Sequence, residues 1–136
     1  MNSHSVVISL ASNYGQQQNL HRARQCLEQI LSSCHYTEAI WTEPFSSSVV
    51  GGASPAMYLN QLVTATTTLS VKTLESSLKA VERQLGRTAA DRCQGIVRID
   101  LDLMLYDGNR YHLKDWSRPY IQALLPQTSL HDVPQS

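Results

Sequence analysis

The sequence has no excess of charge of either sign: eleven Lys and Arg stand against eleven Asp and Glu in 136 residues. A neutral chain creates no strong field toward bulk nucleic acid or an anionic membrane. Neither is therefore expected as a partner, although a local basic pocket for a nucleotide stays open. Cysteine is scarce. Cys26, Cys34 and Cys93 are an odd number at unrelated spacings, with no C-x-x-C or Cys/His pattern, so neither a zinc site nor a disulfide framework is expected. Reduced thiols suit the cytoplasm. Long apolar runs are also missing, so no membrane-spanning helix is expected, and Met1 to Ser5 lacks the pattern of a signal peptide. What is present is an ordinary globular composition, long enough for one hydrophobic core. The expectation is a monomer with one domain over residues 1–126 and a weakly ordered tail over 127–136.

Val6 to Leu10 is a β-rich run ended by the turn cluster Ser12-Asn13-Tyr14-Gly15. Leu20, Ala23, Leu27, Ile30 and Leu31 then recur at helical spacing and predict an amphipathic helix. Tyr36 to Thr42 reads as a second strand, stopped by Pro44, and the Ser/Gly-rich stretch from Phe45 to Ala56 reads as a long loop. Tyr58 to Leu69 is β-branched and reads as a strand. Ser70 is placed to cap a second helix, whose stripe is Leu74, Leu78, Val81 and Leu85 and whose stop is Gly86. A loop from Arg87 to Gly95 leads to a strand from Val97 to Tyr106, and Asp107-Gly108-Asn109 turns it into a hairpin with a return strand at Tyr111 to Leu113. A last short helix is expected over Pro119 to Leu125. The order β-α-β-β-α-β with an appended hairpin implies a ferredoxin-like α+β sandwich with an antiparallel sheet. Each main helix has one apolar stripe, so both must cover the same face, leaving the other partly open.

Alternation along the last core strand sends Val97, Ile99, Leu101, Leu103 and Leu105 toward the helices. It sends Arg98, Asp100, Asp102, Met104 and Tyr106 to the open face. Asp100 and Asp102, two residues apart, then have Cα atoms roughly 6–7 Å apart, and their carboxylates can converge on one hard cation or bracket two. Two solvated carboxylates beside Arg98 would satisfy the same pattern, so the pair alone does not decide between surface and site.

Several dispersed motifs do bear on that choice. The run Ile99-Asp100-Leu101-Asp102-Leu103-Met104-Leu105-Tyr106 resembles the D-L-D-I/L-M-L-F/Y signature of hydroxymethyldihydropterin pyrophosphokinase, the folate-pathway enzyme. Leu10-Ala11-Ser12-Asn13 is similar to that family's early I-G-S-N turn, and Thr42-Glu43-Pro44 to its T-x-P. Tyr58-Leu59-Asn60 resembles its Y/F-L-N, Glu82 with Gly86-Arg87 its E-x-x-x-G-R, and Arg118 with Tyr120 its R-x-F segment. The resemblance spans roughly residues 6 to 126. It implies transfer of pyrophosphate from ATP to 6-hydroxymethyl-7,8-dihydropterin, with two magnesium ions held by Asp100 and Asp102 and with Arg87 in the catalytic set. It also implies that Thr42, Tyr58, Asn60 and Tyr120 bind the pterin, and that Glu82, Arg98, Leu103 and Arg118 face the ATP.

The chain departs from this pattern in four places. Thr88 to Gly95, where the family has a basic lid over the phosphates, carries one basic residue offset by one acid. The family's arginine three residues before the first strand aspartate is Val97 here. The family's P-H motif ahead of the R-x-F segment is not matched, so its histidine is expected to be missing. Ala11 replaces a glycine, and the carboxyl-terminal segment is short. Because phosphoryl-type transfer depends on cations placed at the transferring group, these losses should spare binding more than turnover. The sequence thus leaves two readings, a pterin pyrophosphokinase and a catalytically impaired relative that binds a pterin, a nucleotide or a protein.

Overall fold

A computed structural model describes residues 3–43, 57–86 and 88–128. The elements are β1 (His4–Ser12), α1 (Gln16–Ile30), β2 (Ser32–Tyr36), β3 (Ile40–Thr42), β4 (Tyr58–Thr67), α2 (Val71–Gln84), α3 (Ala89–Cys93), β5 (Asp100–Tyr106), β6 (Asn109–Arg110) and α4 (Pro119–Leu124). The sheet runs β2-β4-β1-β5-β6, with β3 also on β4, and every pairing is antiparallel. This is the expected ferredoxin-like order with the hairpin appended to β5. The expected loop from Phe45 to Ala56, Arg87, and the tail beyond Thr128 lie outside the described residues. Among the described residues no helix is long and apolar enough to cross a membrane.

Both main helices cover one face, as their stripes require. Leu20, Ala23 and Leu27 of α1 and Leu74, Leu78 and Val81 of α2 meet Val6, Ile8 and Leu10 of β1 in one buried cluster with Ile99, Leu101 and Leu103. Ser70 caps α2 as expected, its hydroxyl accepting the Thr73 N–H at 3.2 Å.

The second face is less open than its sequence implies. Trp116, Tyr120, Ile121 and Leu124, in and before α4, bury Val7, Leu62, Met104 and Leu105 in a second cluster. The device that permits it is a bulge. Val7 pairs with Leu105 and Ile8 with Leu103, so Met104 is an extra residue in β5. Strict alternation therefore holds only as far as Met104. Leu105 joins the second cluster, and Tyr106 turns back to the helices.

Three boundaries also shift. The expected strand from Tyr36 to Thr42 is two strands parted at Thr37. There Thr37 N–H donates to Leu62 O at 2.9 Å, while its hydroxyl accepts the Leu62 N–H at 3.0 Å. One side chain thus takes the place of a ladder carbonyl, and the strand breaks. The hairpin is tighter than expected: Tyr106 pairs with Asn109 across a two-residue turn, with Asp107 at φ 49 and Gly108 at φ 84. Positive φ at both positions is the type I′ geometry that suits the strand twist. The return strand is accordingly Asn109–Arg110 and not Tyr111 to Leu113. The loop after α2 contains the single helical turn α3.

Candidate functional site

The approach to β5 is set from across the sheet. Asn13, just after β1, receives the Val97 N–H on its side-chain oxygen at 2.6 Å, donates its own N–H to Val97 O at 2.9 Å, and donates Nδ2 to Gly95 O at 2.9 Å. Residues before Asp100 are clamped there outside the strand, so the alternation does not extend to them. Val97, not Arg98, turns toward the aspartates. Arg98 instead forms a two-point pair with Asp91 of α3, Nε to Oδ2 at 2.7 Å and Nη2 to Oδ1 at 3.3 Å, and its guanidinium lies 4.7 Å from the Tyr14 ring centre. Its placement with Asp100 and Asp102 on one face is thus corrected.

From Ile99 to Met104 the alternation holds, and Asp100 and Asp102 lie on the face away from the two main helices. Their neighbours on β1 are small: Ala11 stands opposite Asp100 and Ser9 opposite Asp102. Ala11 is also opposite Asn60 of β4. Asn60, Ala11 and Asp100 therefore form one row across three strands, which places Asn60 and Asp100 about 10 Å apart. Over the Ala11 and Asp100 part of the row sits a cavity of about 140 Å³, walled by Tyr58, Tyr120, Val97, Asp115 and Arg118 above Ser9 and Ala11, with the aspartates at one side; Asn60 is buried beside it and is not part of its lining.

The electrostatics of the pair are unusual for surface carboxylates. Burial first, and then the charge of Asp100, push the Asp102 carboxyl up from 3.8 to about 6, against the pull of His112 and Lys79. Two basic side chains stand near the Asp102 Oδ1: His112 Nε2 at 3.8 Å and the Lys79 ammonium Nζ at 4.0 Å. Among the described residues no cluster of three His, Cys, Asp or Glu side chains could hold a metal. Two carboxylates with room beside them fit magnesium, whose remaining ligands are ordinarily water and phosphate oxygens.

Glu82 lies beneath this pair rather than in the cavity. Its side chain is 2 % exposed, and Oε2 accepts the Leu101 N–H at 2.7 Å, between the two aspartates. β6 covers β5 only at Leu105 and Tyr106, so among the described residues no strand lies beside the outer edge of residues 100–103. Glu82 supplies the acceptor that the missing strand would have. Replacing it with Ala leaves that N–H buried and unpaired, a cost of about 1–3 kcal/mol. The expected outcome is a lower urea midpoint with an unchanged slope.

On β4, Asn60 is fully buried, donating Nδ2 to Thr42 Oγ1 at 2.8 Å and to Ile40 O at 3.3 Å, while its Oδ1 has no partner among the described residues. Thr42 pairs with Tyr58 across β3 and β4, so Thr42, Tyr58 and Asn60 are neighbours, as the resemblance implies. Tyr120 faces them from α4, with its hydroxyl 3.4 Å from Ser9 Oγ. Arg118 lines the cavity, with Nε held 2.7 Å from Asp115 Oδ1. Leu103 does not reach the site through its side chain. At 1 % exposure it belongs to the core beneath the helices.

The structure adds residues that the sequence reading missed. A histidine does stand ahead of Arg118: His112, which the sequence reading passed over, lies 3.8 Å from Asp102. A left-handed backbone at His112, φ 53, turns its ring toward Asp102. Lys79 had one visible signal: it precedes Glu82 by three residues and so shares its helix face. Asp115 is the third, legible only as a partner for Arg118 on the next turn.

Residues 7–134 match the family model described as 7,8-dihydro-6-hydroxymethylpterin-pyrophosphokinase. A curated relative, the "Folate synthesis bifunctional protein, mitochondrial" of Pisum sativum, is 31% identical over 129 residues. That match covers 88% of this chain but 24% of the relative, so the chain spans only a minor part of the protein it resembles.

Proposed function

The chain belongs to the 7,8-dihydro-6-hydroxymethylpterin-pyrophosphokinase family, and on that premise we propose that it transfers pyrophosphate from ATP to 6-hydroxymethyl-7,8-dihydropterin in folate synthesis. The observation that carries this reading is the row Asn60–Ala11–Asp100. At one end an unpartnered buried carbonyl awaits ring N–H donors; at the other two carboxylates await a cation. A flat ring fits between Tyr58 and Tyr120. Ala11, with a single methyl group, lets such a ring extend across β1 toward the aspartates. Bound there, two magnesium ions with ATP would neutralise phosphate charge and align the attacking oxygen. Arg118, oriented by Asp115, brings a guanidinium to the cavity wall, and Glu82 fixes the backbone that carries both aspartates.

A second reading, a pterin- or nucleotide-binding domain with slow transfer, is favoured by the commitment of Arg98 to Asp91 and by apolar Val97 at the cavity. The two readings separate in one assay. The protein is incubated with magnesium, ATP and 6-hydroxymethyl-7,8-dihydropterin, and AMP release is followed. Pterin-dependent AMP supports the transferase. Pterin binding without AMP above background rejects it in favour of the binding domain.

A further inference from the structure

Along the outer face of α2 runs a shallow, open groove, with Val71, Lys72, Glu75, Ser76, Lys79 and Arg83 as its lining among the described residues. Three of these side chains are cationic and one is acidic. Seven and four residues separate Lys72, Lys79 and Arg83, so all three stand on one stripe about 16 Å long. Lys79 alone among these six also touches the aspartates, with its half-exposed side chain between Glu82 Oε2 at 3.3 Å and Asp102 Oδ1 at 4.0 Å. The groove and the carboxylate pair therefore meet at one ammonium group.

We propose that Lys79 is a phosphate-binding residue that doubles as the counter-charge of the metal-free aspartate pair. This rests on the pyrophosphokinase reading. With no metal bound, the ammonium balances Asp102. A divalent cation on the aspartates competes for the same charge, and the four-carbon arm of Lys79 then swings to the phosphate oxygens of the nucleotide. Lys79 in this way supplies from a helix a positive charge that Thr88 to Gly95, with one base and one acid, offers poorly. Lys72 and Arg83 extend the same positive stripe on either side.

The two roles give Lys79→Met effects of opposite sign. Calorimetric titration of the whole protein with magnesium alone should show binding two- to fivefold tighter in the variant, because a competing cation is gone. Titration with ATP in saturating magnesium should show affinity at least tenfold weaker, while pterin binding is unchanged. Lys79→Arg should restore nucleotide affinity to within threefold. Equal nucleotide affinity in wild type and Lys79→Met would overturn the proposal and leave the pyrophosphokinase reading standing. Weaker magnesium binding in that variant would overturn the counter-charge role. Wild-type protein that binds no magnesium-ATP at all would sink the pyrophosphokinase reading, and this proposal with it.

Discussion

Asp102→Asn is expected to abolish magnesium-dependent ATP binding and to lower AMP formation by about a thousandfold or more, as befits an interaction worth several kcal/mol to the transferring group. The amide keeps the shape of the side chain but loses the charge, so the effect isolates the electrostatics. Stability should move the other way. In the folded protein, burial and Asp100 raise the Asp102 carboxyl to about 6. An acid with a raised folded pKa opposes folding wherever it must ionise, fully above the folded value and not at all below the unfolded one. Metal-free Asp102→Asn should therefore melt above wild type at pH 7 and higher. That advantage should shrink as pH falls through about 6 and vanish near 4. Thermal melts across this range, beside nucleotide titrations at pH 7.5, check both halves. Unchanged nucleotide binding in the variant would remove Asp102 from the metal site.

Asn60→Ala should weaken pterin binding by about a hundredfold, the loss of two buried hydrogen bonds to ring donors, and leave magnesium-ATP binding untouched. The selectivity follows from the row geometry: Asn60 and the aspartates stand on strands β4 and β5, with β1 between them. The fold should barely notice. Removing the amide loses the bonds to Thr42 and Ile40, but it also removes an Oδ1 that is already buried without a partner. Desolvated acceptors cost about as much as two ordinary hydrogen bonds contribute. A melting temperature within a few degrees of wild type, with pterin fluorescence titrations showing the lost affinity, is the expected pair of results. A large fall in stability would mean that Asn60 is a structural residue first.

What the sequence made legible follows from which forces are periodic. Ile99, Leu101 and Leu103 had to face the helices, so the faces of Asp100 and Asp102 were determined by the pleat alone. The ring of ligands around them was not. Arg98 falls in phase with the aspartates, yet Asn13 holds the backbone before Asp100 off the strand, and Asp91 claims the guanidinium. No spacing rule anticipates a clamp from a residue 84 positions away. Leu105 and Tyr106 were misassigned because an inserted residue leaves no mark in a run of apolar side chains. His112 escaped notice because its approach to Asp102 depends on one left-handed residue, not on a repeat. Thr42, Tyr58, Asn60 and Tyr120 were grouped by motif resemblance, and the cross-strand register makes the first three neighbours.

The bulge at Met104 has a consequence for how this chain can change over time. Upstream of it, β5 presents carboxylates to the cavity; at and beyond it, Met104 and Leu105 fill the packing beneath α4. Deleting Met104 would restore a regular alternation in which Leu103, Leu105 and Tyr106 keep their present faces, at the cost of one buried side chain in the cluster under α4. The length of β5 can therefore change at this point without turning Asp100 and Asp102 to the other face, and a Met104 deletion is expected to lower the melting temperature while leaving magnesium-ATP binding in place.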